Sequence, residues 1–195
     1  MRRGRACRAA MIVAIVGVLL VGKSAAATEH LFQVMGMAKL PGKPAPDFTL
    51  PDREGVQRSL QQYGGNLIFL NFWATWCIPC REEMPAMEQL HQAFQSQGLV
   101  ILAVNLKESP DQVKAFFDQH RLSFTALLDA NGSVFRDYQV MGLPTTYLIS
   151  REGTLLARGV GGRDWTKAEG KDLIRGLLAG VPAAPKPDPN ISGGN

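Results

Sequence analysis

The sequence predicts an α/β domain with a mixed central sheet, flanked by helices on both faces and carrying an added N-terminal β-hairpin. Three observations point there. Asn66 to Trp73 and Leu99 to Leu106 are nearly continuous apolar runs of strand length, the pattern of strands buried on both sides. Each run is followed by a segment with helical spacing, and strands alternating with helices imply parallel pairing. Late in the chain two strand-like segments meet at Arg151-Glu152-Gly153, which adds an antiparallel portion.

The elements follow in order. Residues 28–38 read as a short lead-in, and Pro41, Pro44 and Pro46 then bar a helix. Asp47 to Leu50 is strand-like, Asp52 to Gly55 is a turn, and Val56 to Leu60 returns as the hairpin partner. Gly64-Gly65 separates this hairpin from the first buried strand. Cys80 to Gln97 then carries Met84, Met87, Leu90, His91 and Phe94 at helical spacing, with Gly98 as a stop. After the second buried strand, Ser109-Pro110-Asp111 opens a helix that runs to about Gln119, with Pro110 in a tolerated first-turn position. Thr125 to Leu128 is a brief strand, Asp129 to Gly132 a turn, and Ser133 to Tyr138 a short helix. Thr145 to Ser150 and Thr154 to Val160 form the late hairpin. Asp164 to Ala179 is a closing amphipathic helix with Leu173, Ile174, Leu177 and Leu178 on its apolar face. The segment 182–195, rich in Pro and Gly, reads as a disordered tail. The organisation is therefore a leader over 1–27, the lead-in over 28–38, one domain over 39–181, and the tail.

The formal charge of +4 belongs to the leader. Five of the 21 cations lie in residues 1–27, which hold no acid, and the remaining sixteen face seventeen acids. Nothing here favours nucleic acid as a partner. The leader itself has the form of an export signal. Arg2 to Arg8 are followed by a 14-residue apolar run, Ala9 to Gly22, and by the small residues Ala25-Ala26-Ala27. It is either cleaved after Ala27 or kept as an N-terminal anchor, and in both cases the domain is exported. Cys7 precedes the apolar run, so the domain holds only Cys77 and Cys80. A pair this close in sequence closes too short a loop to constrain the unfolded chain much, so reactivity explains it better than stability.

Trp76-Cys77-Ile78-Pro79-Cys80 joins the first buried strand to a helix. Cys77 falls at the helix N-terminus, where free N–H groups and the macrodipole favour an anion, so its thiol should ionise below the free value of about 8.5. Cys80 lies one turn deeper, within reach of Cys77. The chemistry this permits is attack of Cys77 on a substrate disulfide, then attack of Cys80 on Cys77 to release the reduced substrate. Plainer readings compete. Half a zinc site needs a second cysteine pair or paired histidines, and His30, His91 and His120 are unpaired. A structural disulfide and a Cu(I) site on the two thiolates stay open as alternatives. Trp76 reads either as core or as a contact platform beside the thiol.

The segments NFWATWCIPCREEMP, GLPTTYLI and GKPAPDFTL together resemble the exported thioredoxin-like reductases of the TlpA/ResA group over about residues 40–180. The resemblance implies a thioredoxin-like fold and a protein-disulfide reductase working through Cys77 and Cys80, with no cofactor beyond that pair. It implies that Pro144 is a cis-proline facing the disulfide, and that the backbone of Leu143 pairs with an extended substrate beside Trp76 and Ile78. It gives Glu83 a role as proton acceptor or donor for Cys80, with neighbouring Glu82 a solvated surface residue. Asn71 stands where thioredoxin has a buried aspartate, and an amide cannot take the Cys80 proton. The resemblance further implies protein disulfides as substrates, an apocytochrome c among them, and a membrane thiol transporter as electron donor; nothing in the sequence demands more than a monomer. GKPAPDFTL also opens peroxiredoxins, but the positions seven and three before Cys77 are Leu70 and Ala74, so the peroxide-activating Pro and Thr/Ser are missing.

Overall fold

The computed structural model describes residues 28–179. The leader, Cys7 and the 182–195 tail lie outside the described residues. The strands are β1 (Ala38–Lys39), β2 (Thr49–Pro51), β3 (Gln57–Ser59), β4 (Leu67–Trp73), β5 (Leu99–Leu106), β6 (Thr125–Asp129), β7 (Thr145–Ile149) and β8 (Leu155–Val160). The helices are α1 (residues 28–34), α2 (Ile78–Phe94), α3 (Pro110–His120), α4 (Ser133–Asp137) and α5 (Ala168–Ala179).

Six strands form one sheet in the order β1-β8-β7-β4-β5-β6. The β4–β5 and β5–β6 pairs are parallel, and the β4–β7, β7–β8 and β1–β8 pairs are antiparallel. All seven residues of β4 are buried, which is why its sequence shows no alternation. Alternate β4 residues instead serve two different cores. Leu67, Phe69 and Trp73 pack with α1, α2, α3 and α5. Ile68, Leu70 and Phe72 pack with α4, the β2–β3 hairpin and Leu60 of a short 3₁₀ turn. The fold is thioredoxin-like, with helices on both faces as expected but divided unequally. One face carries four helices, and the other only α4 and that turn, beside the hairpin.

Local chemistry sets the boundaries. α2 begins at Ile78 rather than Cys80 because Cys77 caps it and Pro79 lies in its first turn, where its missing N–H leaves no gap. Its last residues tighten into a 3₁₀ turn, Gln95–Gln97, ended by Gly98 at φ 98°. α3 starts at Pro110 behind a capping box of Ser109 and Gln112. α5 starts at Ala168, later than the periodicity predicts, because the Asp164 carboxylate accepts from the Thr166 N–H and holds that segment in a turn. The stretch read as a lead-in is structured. α1 and the residues after it bury Phe32, Met35 and Met37, and β1 joins the edge of the sheet.

Candidate active site

The site forms where β4 hands over to α2. Cys77 is the N-cap of α2, and its sulfur accepts the Cys80 N–H at 3.3 Å. Cys77 and Cys80 are joined in a disulfide with Cα atoms 5.3 Å apart. The two sulfurs are not equivalent in access. Cys80 is fully buried, whereas Cys77, although only 6% exposed, forms part of the wall of an open apolar groove of about 520 Å³. Trp76, Ile78, Phe135, Met141 and Leu143 also line this groove. Trp76 and Ile78 are about two-thirds exposed and Met141 is 90% exposed, so apolar surface surrounds the outer sulfur.

The Leu143–Pro144 peptide bond is cis. Among the described residues neither the N–H nor the carbonyl of Leu143 has a hydrogen-bond partner, since β7 pairing begins at Thr145. Pro144 itself is held by its carbonyl, which accepts the Gly161 N–H at 2.8 Å.

Glu83 lies on α2 one turn after Cys80, and it is buried while Glu82 is exposed. Its Oε1 accepts from Asn71 Nδ2 at 2.8 Å, and its Oε2 accepts from the Arg163 main-chain N–H at 3.1 Å. Burial disfavours the carboxylate and outweighs these donors, raising its pKa to about 7. The β4–β7 register sets Asn71 opposite Thr146, whose hydroxyl takes the second amide hydrogen at 3.1 Å. The amide therefore orients Glu83 and cannot replace it as a proton acceptor.

Two further groups had no signal in the sequence. Glu108 accepts the Thr75 N–H at 2.7 Å, the Thr75 hydroxyl, and Asn105 Nδ2 at 2.6 Å, so one carboxylate fixes the loop that delivers Trp76 and Cys77. Arg163 supplies the N–H to Glu83. Their partners are 33 and 80 residues away in sequence, and only the fold brings them together. Among the described residues no three His, Cys, Asp or Glu side chains converge as a metal site would require.

A profile of the AhpC/TSA family matches residues 41–158, more than half of the chain. The chain belongs to the AhpC/TSA family. Within it, the thioredoxin-like TlpA/ResA type is the matching branch. The thiol-disulfide oxidoreductase ResA of Geobacillus thermodenitrificans is 46% identical over 112 residues, covering 57% of this chain and 64% of that one. The thioredoxin-like protein YneN of Bacillus subtilis is 40% identical over 147 residues, 72% of this chain and 85% of the relative. A Chlorobium tepidum structure described as a thiol:disulfide interchange protein DsbE superposes with a TM-score of 0.64 at 36% identity, covering 73% of this chain and 99% of that one. Although the AhpC/TSA name also embraces peroxidases, Leu70 and Ala74 are buried apolar residues here and cannot activate a peroxide. Family and geometry make this a thiol–disulfide oxidoreductase site.

Proposed function

We propose that the protein is an exported reductase of protein disulfides. The observation that carries this reading is the unequal access of the two sulfurs, with Cys77 on an open groove and Cys80 sealed one turn away from a buried acid. In the reduced protein the Cys77 thiolate, favoured by the α2 N-terminus and the Cys80 N–H, attacks a substrate disulfide and expels one substrate thiolate. Cys80 then loses its proton to Glu83 and attacks Cys77. The mixed disulfide breaks, the second substrate thiolate leaves, and two electrons have passed from the protein dithiol to the substrate.

Ile78 and Pro79 put no charge or donor between the cysteines, which supports a potential on the reducing side. A measured potential above about −170 mV, beyond the roughly −180 mV of protein disulfide isomerase, would contradict the direction. The open backbone of Leu143 supports an extended segment as substrate, paired as an added strand. The resemblance favours the haem-binding cysteines of an apocytochrome c, and recharging by a membrane thiol transporter. The leader supports export. Among the described residues no helix is long and apolar enough to cross a membrane. Insulin-disulfide reduction tests the activity. Cys77→Ser should abolish it, and Cys80→Ser should hold substrates as mixed disulfides on Cys77, identifiable by mass spectrometry. Undiminished reduction by Cys77→Ser would refute the proposal.

A further inference from the structure

One loop touches three parts of the site. Gly161 donates to the Pro144 carbonyl, Gly162 packs against Pro79 between the cysteines, and Arg163 donates to Glu83. The loop sequence, Gly159-Val160-Gly161-Gly162-Arg163, is shaped for this. A Cβ on Gly162 would stand 3.1 Å from the Pro79 carbonyl oxygen. A Cβ on Gly159 would stand 2.4 Å from the Arg163 guanidinium, which occupies the space that glycine leaves. The guanidinium donates to the carbonyls of Met35, Gly36, Val160 and Gly161, and so pins the loop to the segment that follows α1.

Beside this loop lies a polar cleft of about 320 Å³, lined by Pro79, Glu82, Glu83, Gly162, Arg163 and Asp164. Pro79 is the one residue it shares with the apolar groove, whose wall includes neither Glu83 nor Cys80. The buried acid thus meets a polar opening distinct from the surface that surrounds Cys77. We propose that this cleft is the proton port of the disulfide chemistry, through which Glu83 exchanges protons with water while a substrate occupies the groove, and that Arg163 is the positioning residue of its inner wall. The inference rests on the reductase reading. It completes the proton path of that reading: the proton lost by the Cys80 thiol passes to the Glu83 carboxylate and leaves as the acid gives it to water in the cleft.

The groups facing Glu83 agree with a port tuned near neutrality. Glu82 on α2 and Asp164 beyond the loop are carboxylates at the cleft, and Arg163 is the opposing cation. Asn71 on β4 is a neutral donor, the buried indole N–H of Trp165 makes no hydrogen bond among the described residues, and the Cys80 thiol lies one turn earlier on α2.

The test needs no turnover, so it fails or succeeds separately from insulin reduction. Stopped-flow infrared after mixing into D₂O would follow the Glu83 carboxyl band, assigned by its loss in Glu83→Gln. The band is read in Cys80→Ser, alone and with a short single-cysteine peptide disulfide-linked to Cys77. A port predicts that exchange persists at an unchanged rate when the peptide covers the groove. It also predicts that Ala86→Leu, which adds bulk in the cleft wall, slows exchange several-fold. Arrest of exchange by the peptide, or an unchanged rate in Ala86→Leu, would overturn the port. For positioning, Arg163→Ala should move the Glu83 titration upward, and Arg163→Lys should not restore it, because an ammonium cannot span four carbonyls. Full restoration by lysine would overturn the positioning role and leave only the charge.

Discussion

Glu83 is an acid held inside the fold by one amide and one main-chain N–H, with no ion pair among the described residues. Its pKa rises from 4.5 to about 7, so between those values the folded chain keeps a proton that the unfolded chain has released. The stability contributed by the protonated acid is complete below pH 4.5 and is lost as pH rises through about 7, a change on the order of 3 kcal/mol. Urea unfolding at a series of pH values should therefore show Glu83→Gln gaining on the parent between pH 4.5 and 8, and parallel curves would refute the assignment. The same acid must be ionised to accept from Cys80, so the resolving step should accelerate with a midpoint near pH 7 and lose that dependence in Glu83→Gln. Glu83 was legible through the family resemblance, with its place one helical turn after Cys80 in support. The cis state of Pro144 was legible only through the family motif, since an X–Pro pair read alone favours trans. Glu108 and Arg163 were not legible, because nothing local marks a carboxylate or a backbone N–H whose partner lies on another element.

At the scale of elements, the β2–β3 hairpin shows how one side chain can organise a segment. Asp52 is buried and accepts from the Glu54 N–H at 3.0 Å, the Val56 N–H at 2.8 Å and Arg58 Nε at 2.8 Å. Burial pushes its pKa up, but the Arg58 guanidinium and the two N–H groups prevail and hold it below the usual carboxylate value. Its own backbone bridges to Leu127 on β6, so the turn also ties the hairpin to the main sheet. Asp52→Ala should cost about 1–3 kcal/mol by urea unfolding, the penalty for leaving buried donors without an acceptor. Arg58→Ala should cost less, because that side chain is 41% exposed and its pair is screened by water. The hairpin, both buried strands and α2 were readable from apolar runs and turn residues. β1 was not, because two exposed residues carry no pattern. α1 was not, because its short apolar face, Leu31 and Phe32, has meaning only within the core it shares with the other helices of that side.

For the molecule as a whole, the sheet divides the interior into two cores, and the first depends on a segment that looks dispensable in sequence. Phe32 is 5% exposed and packs in the same core as Trp165, Leu173 and Ile174. Phe32→Ala should lower stability by about 3–5 kcal/mol in urea, the usual result of emptying an aromatic site in a packed core. A loss below about 1 kcal/mol, the range of surface changes, would mean that residues 28–38 are the appendage their composition implies. The sheet order has one more consequence. β1 lies along one outer strand, and the Asp52–Leu127 bridge fastens the hairpin against the other. Both flanks of a strongly apolar sheet are thus partly occupied by short stretches of the same chain, which leaves little bare backbone for a neighbouring molecule to extend into a fibre.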